Sequence, residues 1–263
     1  MHQPPPPASR PVALVTGAAR RIGREIALEL ARAGHDVALH CRSHRVEAER
    51  TLAELRALGV AAEVFAADLA DPGACPALVE AVVARFDRLD VLVNNASRFV
   101  HDDVASFDAD AMEQHWRINT AAPVLLARAL HGQLARRAAR GCAVNLLDQK
   151  LWNPNPDYFS YTLSKAALDA ATTMLAIALA PRLRVAAVAP GVTLPSEAMD
   201  AAQFDAAHRL TPLGRSSTPA DIARAVRFVV ESPAITGTTL LVDGGQHLAA
   251  QRRDVLFLGA GSP

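Results

Sequence analysis

Short apolar runs rich in β-branched residues alternate with longer helical stretches along nearly the whole chain. Seven such runs predict strands, at 12–16, 36–40, 61–66, 91–94, 142–147, 184–189 and 239–243. The stretches between them predict helices at 21–33, 46–58, 78–86, 109–135, 158–180 and 219–230. Near-continuous apolar strands joined by helices form parallel sheets that are covered on both faces. The chain is therefore predicted to be α/β, with a doubly wound, seven-stranded parallel sheet.

This alternation extends through the 263 residues without a linker or an internal repeat. Such a length lies within the range of one α/β domain, so residues 11–263 are predicted to form a single domain. The first ten residues read M-H-Q-P-P-P-P-A-S-R, and so proline-rich a segment joins neither a helix nor a sheet. We expect residues 1–10 to be a disordered leader, with partner binding as the alternative.

The side-chain charges balance, with 27 Lys+Arg against 27 Asp+Glu. A net charge of zero removes the electrostatic basis for binding nucleic acid or an anionic membrane. The cysteines Cys41, Cys75 and Cys142 form no pair with metal or redox spacing, which favours a reducing compartment. Because there is also no signal-peptide core and no apolar run of about 18 residues, a cytoplasmic protein without membrane partners is predicted.

A glycine turn, T-G-A-A-R-R-I-G at 16–23, follows the first predicted strand and enters a helix. Such a turn presents free backbone N–H groups and the positive end of the helix to an anion. Gly17 allows the tight turn and Gly23 allows close packing of helix and strand. The sequence predicts a phosphate site here, and a plain turn with two solvated arginines is the alternative. The predicted cofactor contacts in the turn are Gly17, Arg20, Arg21, Ile22 and Gly23.

The end of the second predicted strand indicates which dinucleotide binds. A carboxylate there would bind the ribose 2′-OH of NAD, whereas a cation would accept the 2′-phosphate of NADP. The sequence reads His40-Cys41-Arg42-Ser43-His44-Arg45, without a carboxylate before Glu47. An arginine can bind a phosphate with a charge-assisted, bidentate pair. NADPH is therefore the predicted cofactor, with contacts from His40, Arg42 (or Arg45) and Ser43, unless these residues form only a solvated loop.

Polar residues also follow the third and fourth predicted strands. Asp68, next to Leu69, can hydrogen-bond the adenine edge, but it could equally cap the following segment. Asn94 and Asn95 precede Ala96, and adjacent amides at a strand end can pin the sheet backbone and the cofactor ribose. They could also form only a turn. Asp68, Leu69, Asn95 and Ala96 are retained as predicted cofactor contacts.

Tyr161 and Lys165 lie four residues apart in the predicted helix 158–180, and therefore on one helix face. The pKa of a free tyrosine is near 10, too high for good proton exchange at neutral pH. We expect the nearby ammonium to lower the pKa of Tyr161 and make it a catalytic acid. An isolated Tyr-x-x-x-Lys pair often arises by accident, so the assignment rests on the other motifs as well.

Taken together, residues 11–247 resemble the short-chain dehydrogenase/reductase family. The motifs that carry the resemblance are the glycine turn, N-N-A at 94–96, Asn119, Tyr161-x-x-x-Lys165, Pro190-Gly191 and V-D-G-G at 242–245. The resemblance implies a Rossmann-type domain and hydride transfer between NAD(P)H and a substrate, with Tyr161 as proton donor. It also implies that Lys165 binds the nicotinamide ribose and that Asn119 holds a water in a proton relay. Pro190, Gly191 and Thr193 (or Ser196) are expected at the nicotinamide, beneath a lid at 192–210.

Two departures make the sequence similar to the pteridine and dihydromonapterin reductases of that family. Arg21 replaces a glycine of the turn, and Asp148 stands 13 residues before the tyrosine, where most members have serine. The likeness implies a pterin-like substrate sandwiched between the nicotinamide and Phe99, since flat aromatic rings prefer offset stacking. Arg21 and Ser97 would contact the ring's amide edge, and Asp148 would pass a proton at a ring nitrogen. Trp152 is expected to form part of the wall of the substrate site.

The residues also allow other interpretations. No H-E-x-x-H or Cys/His cluster predicts a metal. Phe99 could be an ordinary loop residue and Asp148 a cap, which would leave a carbonyl reductase acting on a ketone or a keto-acyl thioester. A non-catalytic NADPH-binding sensor is a further alternative. Lys150 is expected to be a solvated loop residue. The resemblance implies a homotetramer or homodimer, formed through the helices 109–135 and 158–180 and the C-terminal end.

Overall fold

The seven predicted strands form one parallel sheet in the computed structural model, which describes residues 10–195 and 199–257. The strands are β1 (Val12–Val15), β2 (Asp36–Cys41), β3 (Ala62–Ala66), β4 (Val91–Asn94), β5 (Gly141–Leu146), β6 (Leu183–Pro190) and β7 (Thr239–Val242). Their order across the sheet is β3-β2-β1-β4-β5-β6-β7, with every neighbouring pair parallel. The predicted fold class is confirmed. Most of the predicted leader 1–10, and Ser196, lie outside the described residues.

Helices cover both faces of the sheet. They are α1 (Arg21–Arg32), α2 (Arg45–Ala57), α3 (Ala74–Phe86), α4 (Ala109–Trp116), α5 (Ala122–Arg136), α6 (Phe159–Leu179), α7 (Ala201–Arg209) and α8 (Pro219–Glu231). Successive strand residues point to opposite faces, so Val15 packs with α1, α2 and α8, whereas Leu14 packs with α3, α5 and α6. Each fully buried leucine or valine of these two layers contributes about 1.5–3 kcal/mol to folding.

Two helical segments differ from the prediction. The predicted helix 109–135 is divided by a π-helical turn at Arg117–Ala121, which places Asn119 within the turn. Helix α7, inside the predicted lid 192–210, was not expected from the apolar pattern. It begins with a capping box in which the Asp200 carboxylate accepts from the Gln203 N–H, and Gln203 reaches back to the Asp200 N–H. That local capping signal fixes the start of a helix without a strong apolar repeat.

Helix α6 has the length and composition of a membrane span, with 21 residues and a mean hydropathy of 1.2. Lys165 and Asp169 interrupt its apolar sequence, which is why no uninterrupted run was predicted. Its inner face, including Leu168 and Ala176, is buried against the sheet. Core helices of soluble proteins have the same composition, so this feature by itself is weak evidence for a membrane.

The strand order reverses between β1 and β4. At such a switch point the loops after the two strands turn to opposite faces and leave a crevice at the carboxyl edge of the sheet. The glycine turn follows β1, and the segment beginning at Asn95 follows β4. The topology therefore brings the predicted site segments to one edge.

Candidate active site

A cleft of about 320 Å³ opens at the carboxyl edge of the sheet. Half of the predicted site residues line it, namely Arg21, Ile22, Asn95, Ser97, Phe99, Asp148, Tyr161, Lys165, Pro190, Gly191 and Thr193. Further lining residues were not predicted, among them Gln149, Lys150, Tyr158, Gln246, Asp254 and Leu256. The cleft is thus formed by loops from along the whole described chain, from the loop after β1 to the C-terminal residues.

The glycine turn has the backbone geometry expected of a phosphate cradle. Gly17 has a φ of +63°, in the left-handed region that favours glycine. A Cβ on Gly23 would lie 2.3 Å from the Gly17 oxygen, so only glycine fits there. Helix α1 begins without a side-chain cap and without an acidic residue in its first turn. Its first N–H groups and positive dipole end therefore suit an anion.

Three neighbouring residues hold this turn in place. The Asn95 amide donates to the Thr16 oxygen at 2.8 Å and to the Gly17 oxygen at 3.1 Å. The Ala96 N–H donates to Thr16 Oγ1 at 2.9 Å. His40 Nδ1 accepts from the Gly17 N–H, and His40 Nε2 lies 3.1 Å from the Ala67 oxygen. Burial lowers the pKa of His40, so its ring is a neutral spacer beneath the turn.

The predicted adenosine contacts lie outside the enclosed cleft. Arg42 and Ser43 are exposed on the loop between β2 and α2, and Arg20 is exposed in the turn. The Asp68 carboxylate accepts from the Ala70 N–H at 3.0 Å, so this residue does cap the following segment, while Leu69 is buried in the core. Exposed arginines beside a helix N-terminus are placed to meet phosphate groups.

Asp148 and Tyr161 form the centre of the cleft. The Tyr161 hydroxyl donates to Asp148 Oδ2 at 2.9 Å, and Asp148 Oδ1 accepts from the Lys150 N–H at 2.9 Å. The Lys165 ammonium donates to the Leu146 oxygen at 2.7 Å and lies 5.8 Å from the centre of the Tyr161 ring. The structure therefore places a carboxyl, a phenol and an ammonium side by side.

The expectation that Lys165 lowers the pKa of Tyr161 is wrong for this structure. Burial, and then the Asp148 carboxylate, raise the pKa of Tyr161 well above its usual value. Burial also raises the pKa of Asp148, and it lowers the pKa of Lys165 to about 8. Desolvation dominates because all three groups are enclosed. The phenol thus retains its proton, as a proton donor must.

Asn119 lies behind the cleft, with its side chain fully buried. Its Oδ1 accepts from the Arg98 N–H at 2.8 Å and from the Ser97 hydroxyl at 3.1 Å. Its amide donates to the Arg98 oxygen and to Ser164 Oγ. The side chain fixes the segment that carries Ser97, and the predicted water relay at Asn119 stays a prediction.

An aromatic wall closes one side of the cleft. The Phe99 ring stacks on Tyr158, with centroids 4.2 Å apart and an interplanar angle of 12°, and it meets Tyr161 edge-on at 4.7 Å. Phe99 is still 47% exposed, which leaves ring surface for a ligand. Trp152, expected in this wall, is 40% exposed and does not line the cleft. The 3₁₀-helix Gln149–Trp152 turns its first two residues inward instead.

Lys150 is buried, contrary to the expectation of a solvated lysine. Its ammonium donates to the Asp157 oxygen at 2.5 Å and to Asp254 Oδ2 at 3.2 Å. The Asp157 carboxylate is also buried, and accepts from the Arg253 guanidinium and from the Asp254 N–H. These contacts tie residues 253–257, here called the C-terminal strap, to the loop that carries Asp148.

The lid region meets the cleft from the other side. The Arg21 guanidinium donates to the Pro195 oxygen at 3.1 Å, so Arg21 links the glycine turn to this region. The backbone φ of Arg21 is +57°, in the left-handed region that favours glycine. Thr193 is buried, and its hydroxyl lies 2.9 Å from the Gly191 oxygen and 2.7 Å from Ser217 Oγ. Within residues 10–195 and 199–257, no cluster of three metal-ligating side chains occurs.

Comparisons with known proteins place this cleft in a family. A family model described as enoyl-(acyl carrier protein) reductase matches residues 17–247. The 3-oxoacyl-[acyl-carrier-protein] reductase FabG of Staphylococcus aureus is 35% identical over 255 residues, covering 90% of this chain and 98% of that protein. The chain belongs to the short-chain dehydrogenase/reductase family. It is therefore an oxidoreductase, as its motifs predict.

Two further proteins resemble the chain. The structure of FolM alternative dihydrofolate reductase 1 from Brucella suis, in complex with NADP, is 42% identical with a TM-score of 0.87. The match covers 93% of this chain and 97% of that one. Pteridine reductase 1 of Leishmania tarentolae is 32% identical over 279 residues, covering 90% of this chain and 96% of that protein. The resemblance to pteridine reductases is thereby confirmed.

Several cleft residues of this short-chain reductase were missed in the sequence. Tyr158 has no lysine four residues on, yet its left-handed backbone, with a φ of +53°, turns it onto Phe99. Asp254 comes from a segment 104 residues away from its partner Lys150. The scarcity of lysine was the available signal, since the chain has only Lys150 and Lys165 and both prove to be buried in the cleft.

Proposed function

We propose that the protein reduces a dihydropterin with NADPH. The observation that carries the proposal is the hydrogen bond between Tyr161 and Asp148, set beside the exposed ring of Phe99. Reduction at a ring nitrogen requires a proton, and a phenol paired with a carboxyl can supply it. The similarity to pteridine reductase 1 and to FolM supports the same substrate class. Dihydrobiopterin, dihydromonapterin and dihydrofolate are the candidate substrates.

The residues of the cleft and of the loops beside it fit an NADPH molecule. The uncapped start of α1 and the cradle between Gly17 and Gly23 suit the pyrophosphate, and Arg42 with Ser43 suits the 2′-phosphate. Lys165 is placed to hold the nicotinamide ribose, and Pro190, Gly191 and Thr193 to flank the nicotinamide. When bound, the cofactor would supply the hydride. The FolM structures from Brucella suis and Brucella canis hold NADP.

The protein's own residues manage the proton. Tyr161 donates its hydroxyl proton to a ring nitrogen of the substrate. The phenolate that remains takes a replacement proton from solvent, and Asp148, in contact with the Tyr161 hydroxyl at 2.9 Å, is placed to pass that proton on. Both pKa values are raised by burial, so both groups keep protons to a higher pH than free side chains do. Lys165 lies close enough to stabilise the phenolate formed during the transfer.

Exchange of Asp148 tests the substrate class. Asp148→Ser restores the residue that most members of the family carry, so turnover of dihydropterins should fall while any turnover of ketones is kept or rises. Phe99→Ala should raise the KM for pterin far more than that for NADPH. NADPH oxidation by the purified variants measures both. A loss of pterin and ketone activity in equal measure would contradict the proposed role of Asp148.

Reduction of a ketone or a keto-acyl thioester is the second candidate, because ketoacyl reductases are among the relatives at 33–35% identity. Asp148 counts against it, since a serine suffices to hydrogen-bond a carbonyl.

The cofactor assignment has its own test. NADPH should be a better hydride donor than NADH, and Arg42→Ala should erase most of that preference. Equal or better turnover with NADH would contradict the assignment of Arg42.

We also propose a cytoplasmic homo-oligomer, either a dimer or a tetramer. All three cysteines are free and buried, as expected in a reducing compartment. A groove of about 360 Å³ separates α4 from α6. Large apolar side chains on these two helices are exposed, namely Met112, Trp116, Leu163, Met174 and Ile177. Light scattering should give a mass of two or four chains, and Ile177→Asp should reduce it.

A further inference from the structure

Gln149 is a cleft residue whose side-chain amide oxygen has no hydrogen-bond partner. It follows Asp148 directly, begins the 3₁₀-helix Gln149–Trp152 and is only 9% exposed. Its Oε1 is fully buried and receives no hydrogen bond. A buried acceptor left unpaired costs about 1–3 kcal/mol, so such an atom needs an explanation.

The location of Gln149 provides that explanation. Among the described residues, five buried side-chain atoms have no partner: Asn94 Oδ1, Arg98 Nε, His115 Nε2, Gln149 Oε1 and Thr211 Oγ1. Of these five residues, Gln149 is the one that lines the cleft. Gln246 lines the cleft too, but its Oε1 accepts from the Val192 N–H at 3.1 Å. The unpaired acceptor therefore belongs to the wall where a ligand would supply the donor.

A carboxamide has one acceptor and two donors, and it can pair edge-on with a heterocycle that presents a donor beside an acceptor. We propose that Gln149 is a specificity residue that binds the N–H-bearing edge of the substrate ring. This inference rests on the proposed function. The cyclic amide and the amino group of a pterin provide such an edge, whereas the reacting carbonyl of a ketone provides no N–H.

The position of Gln149 favours the substrate over the nicotinamide. Gln149 adjoins Asp148, which is bonded to the proton-donating Tyr161. The segment expected at the nicotinamide carboxamide, Gly191 to Thr193, follows β6 on a different loop. Gln149 therefore lies on the same loop as Asp148, which is proposed to act on the substrate.

The test is Gln149→Met in the full chain, which keeps the side-chain length and removes the amide. The KM for dihydrobiopterin should rise roughly ten- to a hundredfold through the loss of one or two hydrogen bonds. The KM for NADPH should stay within about twofold. The melting temperature should not fall, because an unpaired buried acceptor is removed. Gln133→Leu is the matched control, since Gln133 is equally buried on α5 and does not line the cleft.

Each other outcome overturns the inference in a distinguishable way. An unchanged KM for dihydrobiopterin, with an active wild type, would show that Gln149 does not contact the ring. An equal rise in the KM for NADPH would assign Gln149 to the nicotinamide. A lower melting temperature with unaltered kinetics would make the residue structural. A wild type that reduces no pterin would reject the proposed function first, and this inference with it.

Discussion

The cofactor end and the substrate end of the cleft are stabilised in different ways. At the cofactor end, contacts to the backbone fix the shape of the turn. Gly17 and Gly23 are in close contact, and the Asn95 amide donates hydrogen bonds to the carbonyl oxygens of the turn. At the substrate end, contacts between side chains fix the shape of the cleft, and these side chains come from segments far apart in sequence. Lys150 and Asp254, for example, are 104 residues apart.

The difference shows where specificity can change in this fold. A cradle made of backbone tolerates almost no side-chain change, since a single Cβ at Gly23 would collide with it. A wall made of side chains can be altered one residue at a time without disturbing the turn. We therefore expect variants of the two ends to separate cofactor binding from substrate binding.

The largest effect is expected at the substrate end. Tyr161→Phe removes the proposed proton donor while leaving the ring that contacts Phe99. The kcat for the pterin should fall roughly 10²–10⁴-fold, the usual contribution of a general acid. NADPH affinity, measured by fluorescence titration, should not change. A kcat within an order of magnitude of wild type would assign the proton to another group.

At the cofactor end, Gly23→Ala should abolish NADPH binding. The added Cβ would meet the Gly17 oxygen at 2.3 Å and the Asn95 amide at 2.4 Å. Overpacking of this kind costs about 1–3 kcal/mol of folding stability. Gly132→Ala is the matched control, because a Cβ at Gly132 in α5 would meet nothing within 4 Å. That variant should bind NADPH normally, and identical behaviour of the two variants would refute the packing argument.

The two lysines should respond in opposite directions. Burial lowers the pKa of Lys165 to about 8, so folding carries a cost that is fully present below pH 8. Lys165→Met should therefore raise the free energy of unfolding at pH 7 by about 2 kcal/mol. This net gain is the burial cost that is removed, less the stability that is lost with the hydrogen bond to the Leu146 oxygen. The gain should shrink from pH 8 to about 10.5, because there the unfolded chain binds the proton that the folded chain has released.

Lys150→Met should instead destabilise the protein, because Lys150 is paired with Asp254. Denaturant unfolding at several pH values measures both variants. A Lys165→Met protein less stable than wild type at pH 7 would show that the bond to Leu146 outweighs the burial cost.

The smallest effect is expected from release of the C-terminal strap. Burial opposes the charge of Asp157, but the bonds from Arg253 and Asp254 outweigh it and hold the pKa of Asp157 below its usual value. Asp157→Asn weakens those charge-assisted bonds, and should raise the KM for pterin about fivefold, equivalent to about 1 kcal/mol. Glu231→Gln, which breaks an exposed pair with Arg227, should change nothing. Faster proteolysis at Arg253 would accompany release of the strap.

The parts of the molecule that could be predicted from the sequence depend on local patterns. The strand at 91–94 has the predicted bounds, and the other strands agree to within one or two residues. Asp148 and Tyr161 meet as the family resemblance implied. The burial of Lys150 could not be predicted, because its partner Asp254 lies 104 residues away in the sequence. The raised pKa of Tyr161 was also missed, because desolvation depends on the packing of the whole cleft.

The proposed function requires that the cleft accept a pterin in preference to a carbonyl compound. The most direct measurement is the ratio of kcat/KM for a dihydropterin to that for a keto-acyl thioester, with NADPH as the donor. A pterin reductase should give a ratio well above one, and the ratio should be lower in Asp148→Ser. Turnover of the thioester with none of any pterin would contradict it, and would make the protein a carbonyl reductase.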